Sequence, residues 1–174
     1  MGKQKMTLTQ RRWLLTIHLL FSAIMLGGAV VFLILSIIAA NTSDEGALKA
    51  CYTSMHVLAK TSIRASTIGT LVTGILLSVL TQWGLFKFYW IIAKEVLTVL
   101  SIVLGPIGMY LWTLKAVTLT TEEGLNALQD PAFIVNNDQL WVGIFLQIIS
   151  LVAMFTISVF KPWGSRKQKK PNLA

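Results

Sequence analysis

Four long apolar runs, at residues 13–40, 56–80, 88–114 and 140–160, leave this chain few ways to fold. A helix crosses a hydrocarbon core of about 30 Å with about 20 residues, and each run is long enough. Backbone amides in lipid find no water, so they must be satisfied within the segment, and the runs are expected to be helices. A transmembrane β-barrel would need strands of about 10 residues alternating apolar with polar, and these runs do not alternate. Of the 174 residues, 55% are hydrophobic and 13% charged, which leaves little for a soluble domain. The expected fold is therefore all-α: a polytopic membrane protein with a four-transmembrane-helix bundle. One membrane domain spans 1–174, with helices at about 13–40, 48–80, 88–114 and 139–160 and a basic tail at 161–174.

Basic residues set the expected orientation. Lys3, Lys5, Arg11 and Arg12 precede the first run, Lys87 lies in the second connection, and Lys161, Arg166, Lys167, Lys169 and Lys170 fill the tail. The first connection carries Asp44 and Glu45 against Lys49; the third carries Glu122, Glu123, Asp130 and Asp138 against Lys115. The positive-inside rule then places both termini and the second connection in the cytoplasm, the membrane being a bacterial plasma membrane. The net charge of +8 is mostly this topology signal. A polybasic tail beside a bilayer also suits anionic lipids, whereas nucleic acid would need a folded basic surface outside it. The first run is too long for the h-region of a signal peptide, which takes about 7–15 residues. The single Cys51 excludes an intrachain disulfide and is expected on the outer side as an exposed thiol.

Local signals place the helices. Thr7 or Thr9 is a candidate cap for the first, with Trp13 as its interfacial anchor. Gly27-Gly28 lies near mid-span, where small residues let a neighbour approach. The second helix is expected to begin around Leu48. Phe88, Tyr89 and Trp90 form an aromatic belt opening the third, which Gly105-Pro106 should kink. Asn136-Asn137-Asp138 are candidate caps for the fourth, and Pro162-Trp163-Gly164 ends it.

Ionisable residues inside apolar runs are the candidates for function. His18 lies about five residues above Trp13, and Lys94 and Glu95 about six above Phe88, so at 1.5 Å per residue they share one depth. Lys94 and Glu95 are about 100° apart around the helix, so at most one faces His18 squarely. The group reads as a metal or haem ligand or a proton relay; its structural alternative is a hydrogen-bonded histidine with Lys94 reaching to the interface. A second group, His56, Lys60 and Arg64, has i, i+4, i+8 spacing on one face of the second helix. It reads as a site for an anionic group such as haem propionates or a lipid phosphate, with Asp138 as a candidate partner. Its alternative is two solvated turns, with the membrane beginning near Ala65. Cys51, Met55 and His56 supply soft and imidazole ligands suited to Cu(I). In an antiparallel hairpin His18 and His56 are offset axially by about 24 Å, which disfavours one haem bound by both.

Ile17-His18-Leu19-Leu20 followed by Leu26-Gly27-Gly28 resembles the first helix of bacterial copper-resistance protein D (CopD)-like membrane proteins, a group that includes small relatives of unknown function. Tyr89-Trp90-Ile91-Ile92-Ala93-Lys94 resembles the entry of a later helix in that group. The resemblance covers about half the chain. It implies a four-helix unit with a ligand-bearing first helix and a link to copper or haem; the basic stripe on the second helix departs from it. No P-loop, HExxH or nucleophile elbow occurs, so an enzyme acting without a cofactor is not expected. The expected function is binding of a b-type haem, or of a metal ion with copper the alternative, inside the bundle. The rival is a cofactor-free small transporter or assembly subunit, for which four helices would call for a homodimer to enclose a path.

Overall fold

The computed structural model describes residues 6–81 and 84–164. Lys3, Lys5, Arg166, Lys167, Lys169 and Lys170 lie outside the described residues. Four long helices follow one another: α1 (Leu8–Asn41), α2 (Glu45–Leu80), α3 (Tyr89–Gln129) and α4 (Pro131–Phe160). All four are long and apolar enough to cross a membrane. They pack as an up-down-up-down bundle in which α1 touches α2 and α4, and α3 touches α2 and α4. The two ends of the described chain therefore lie at the same end of the bundle, and that end is called inner.

Capping chemistry explains where the helices start. Thr7 accepts a hydrogen bond from the Gln10 N–H (3.2 Å) while Gln10 Oε1 accepts from the Thr7 N–H (3.0 Å), closing a capping box. Asp44 accepts from the Ala47 N–H (2.8 Å), so α2 begins at Glu45, one turn before Leu48. The fourth helix starts much earlier than expected. Asp130 accepts from the Ala132 N–H (2.8 Å) and Pro131 opens the helix with its φ already helical, so α4 begins at Pro131, not at about 139. Asn136 and Asn137 are consequently interior residues, not caps. Asn136 donates to the Trp112 carbonyl (2.8 Å), and Asn137 Oδ1 accepts from the Tyr52 hydroxyl (3.0 Å). The third connection shrinks to the short 3₁₀ turn Gly124–Gln129.

Each of the middle helices contains a π-helical turn. In α3 it spans Val103–Met109 and holds Pro106, which has no N–H to give the ladder. The expected kink takes this form. In α2 the turn spans Ala59–Ile63 without a proline. Side-chain hydroxyls satisfy backbone carbonyls around it: Thr61 donates to Val57, Ser66 to Ser62 and Thr67 to Ile63 at 2.6–2.7 Å. The two π turns touch one another.

The core occupies the outer half. Phe32, Leu48, Tyr52, Met55, Met109, Phe133, Leu140 and Ile144 are buried together there. Small polar pairs join helices deeper in, among them Ser101 with Ser150 at 3.1 Å. Of the two mid-span glycines, Gly28 abuts Ile63, whereas a β-carbon on Gly27 would meet nothing within 4 Å. Only Gly28 permits close approach.

Candidate functional site

Helix contacts define a common level. Gly28 of α1 abuts Ile63 of α2. A β-carbon on Gly105 of α3 would stand 3.5 Å from Ile63 and 3.6 Å from the Gln147 amide of α4. This level falls near the middle of the uncharged runs on three helices: 13–41, 96–114 and 139–160. The uncharged run of α2, 65–86, is centred about 18 Å further inward. A hydrocarbon core centred there would swallow Arg11, Arg12, Lys87, Lys94 and Glu95. Centred on the Gly28–Ile63–Gly105 level, it holds Lys60 and Arg64 as its interior cations. The second placement costs fewer buried charges, which favours the π turns at mid-membrane over a second helix that first enters lipid at Ala65.

His18 lies about 15 Å inward of this level and Lys94 about 16 Å, the shared depth expected of them. Lys94 lies near enough to His18 for its charge to act on the ring, and both are half-buried. Glu95 keeps one buried carboxylate oxygen without a hydrogen-bond partner.

The His18 ring is held by α2. Its Nδ1 is 2.9 Å from Thr73 Oγ1, and the Thr73 hydroxyl proton is directed to the Gly69 carbonyl at 2.6 Å. With its proton engaged, Thr73 accepts, so His18 carries its hydrogen on Nδ1 and leaves the Nε2 lone pair free. Gly74 makes room for the ring: a β-carbon there would stand 3.3 Å from His18 Cε1. His56 repeats the device. Its Nδ1 is 3.2 Å from Thr113 Oγ1, whose proton goes to the Met109 carbonyl at 2.6 Å.

Outward of the π turns α2 and α3 pack closely, whereas inward of them Arg64–Leu80 and Tyr89–Ile102 make few backbone contacts. His18, Thr73 and Lys94 lie at the level of this more widely spaced pair.

The basic stripe is arranged differently. His56 is half-buried against Tyr110, ring centres 5.0 Å apart, and the Arg64 guanidinium lies over the same ring at 5.1 Å. A π turn holds about one residue more than an α turn, so Arg64 returns to within about 20° of His56 instead of about 80°. Lys60 and Arg64 are exposed, and no ion pair joins either to a described acid. Asp138, the expected partner, is instead exposed beside a groove of about 370 Å³ between α3 and α4, lined also by Trp112 and Gly143. A cation at a membrane helix centre costs at least about 2.5 kcal/mol.

The outer trio does not form a cluster. Cys51 is buried in the core and is not the exposed thiol expected. The Met55 sulfur accepts from the Ser36 hydroxyl at 3.6 Å, and His56 turns to Thr113 and Tyr110. Among the described residues no three His, Cys, Asp or Glu side chains stand together to hold a metal ion. A bare ion needs several protein donors. A haem brings its own ring nitrogens and takes an axial histidine, so a lone imidazole with its far nitrogen anchored fits haem better than an ion. Since His18 bonds Thr73, 17 residues from His56 along α2, the two rings are about 25 Å apart and serve separate sites.

Sequence reasoning passed over Thr73 and Thr113 because hydroxyls in a membrane helix usually bond their own backbone. It also passed over Tyr110, whose place inside an apolar run was a visible signal. No protein-family model, curated protein or solved structure matches this chain.

Proposed function

We propose that this membrane protein binds a b-type haem at its inner half, which His18 Nε2 would ligate and for which Lys94, at the same depth, would supply counter-charge to a propionate. The observation that supports this reading most is the Thr73 hydroxyl, which orients the His18 ring with Nε2 free at the level where the backbones of α2 and α3 stand further apart. A haem would enter between α2 and α3, whose backbones stand further apart at the level of His18 than beyond the π turns. In this reading the protein belongs to a bacterial plasma membrane with both termini cytoplasmic.

The test is a visible spectrum with metal analysis of detergent-purified protein titrated with haemin. Wild type should develop a Soret band; His18→Ala should lose it; His56→Ala should keep it. A wild type that stays colourless at saturating haemin overturns the proposal. Orientation is tested in a Cys51→Ser background. A cysteine at Ser43, exposed between α1 and α2, should react with an impermeant maleimide in intact cells, and a cysteine at Lys87 only after permeabilisation. The reverse pattern would invert the topology.

A further inference from the structure

The Arg64 face of α2 has no role in the haem reading and rests on separate observations. Arg64 is exposed at the mid-membrane level, one residue from Ile63, and stacks on Tyr110. Beside it Thr61, Ser62 and Ala65 are exposed and small, so another helix backbone could come close. Ile68, one turn inward, is exposed and apolar. A lipid phosphate lies at the surface, about 15 Å from the centre of the hydrocarbon, beyond the level of Arg64. Lys60, about 6 Å further out, can reach toward it, and Arg64 cannot.

The acid is not supplied by a second copy. Of the seven acidic residues in the chain, Asp138 and Glu95 lie closest to this level, about 13 Å outward and about 15 Å inward. Neither spacing can be bridged by an arginine and a carboxylate. Two copies side by side, parallel or inverted, would bring Arg64 level with Arg64. We propose that this face docks a transmembrane helix of another protein carrying a carboxylate at mid-membrane. That carboxylate would close onto Arg64 over Tyr110, and its backbone would run along Thr61 and Ala65.

The probe is a tryptophan-free, leucine-rich transmembrane peptide with a central Glu and a dansyl label. It is mixed with the full chain in phosphatidylcholine vesicles and read by energy transfer from the protein's tryptophans. The Glu peptide should bind about tenfold more tightly than its Gln counterpart. Arg64→Gln should abolish that preference, Arg64→Lys and Lys60→Gln should keep it, and Arg64→Glu should shift it to a peptide with a central Lys. Equal binding of Glu and Gln peptides to wild type overturns the proposal, as does a Glu preference that survives Arg64→Gln. Selective, Arg64-dependent binding of phosphatidylglycerol with no peptide preference would also overturn it, in favour of a lipid site. His18→Ala should leave every peptide result unchanged, which separates this failure from that of the haem site.

Discussion

Thr73→Val should weaken haem retention about 10- to 100-fold, the usual cost of losing the group that orients a ligating histidine. The valine has the same shape, so the ring keeps its space beside Gly74, but Nδ1–H loses its acceptor at 2.9 Å. The ring can then turn or change tautomer, and Nε2 is no longer presented. Thr73→Ser should restore retention because it keeps the oxygen. Thr113→Val makes the same change beside His56 and should leave haem retention unaltered. Titration with haemin at the Soret maximum reads all three. Loss in Thr113→Val with retention in Thr73→Val would move the ligand to His56.

Gly143→Val should destabilise the bundle by about 1–3 kcal/mol, the range for overpacking a close-packed site. A β-carbon on Gly143 would run into the Trp112 indole, at the same ring atoms that would stand 2.8–2.9 Å from a Gly108 β-carbon. The ring is fused and rigid, and its residue's carbonyl is fixed by Asn136, so it cannot yield. A drop in the thermal midpoint of about 2–12 °C in detergent is expected for a chain of this size. Gly27→Val is the control: it meets nothing within 4 Å and should hold the wild-type midpoint. Equal midpoints for the two variants would remove Trp112 from the packing argument.

The two predictions differ in how much of their basis could be read from residues alone. The depth shared by His18 and Lys94 follows from counting along helices whose anchors, Trp13 and Phe88, are visible. That the Lys94 charge acts on His18 does not follow from counting, because two residues 100° apart are distinguished only by where the neighbouring helix lies. Trp112 illustrates the same limit. A tryptophan near an outer boundary reads as an interface anchor, and only the placement of Gly108 and Gly143 turns it into a wedge.

Hydrophobicity and charge by themselves determined that this chain is a bundle of four membrane-length helices, where the fourth ends, and which ionisable side chains fall inside the apolar runs. These are one-dimensional properties: a length in lipid, a count of cations, a rise per residue. The early start of α4 escaped because the polar stretch 136–139 separates Ala132–Val135 from the long apolar run that follows, and that stretch reads as the cap in place of Asp130-Pro131. The burial of Cys51, the turning of Arg64 onto Tyr110 by the π turn in α2, and the anchoring of His18 and His56 by threonine hydroxyls were decided only by tertiary structure. Each depends on the rotation of one helix about its axis against another, and a single extra residue in a turn changes that rotation by about 100° without altering the hydrophobic pattern along the chain.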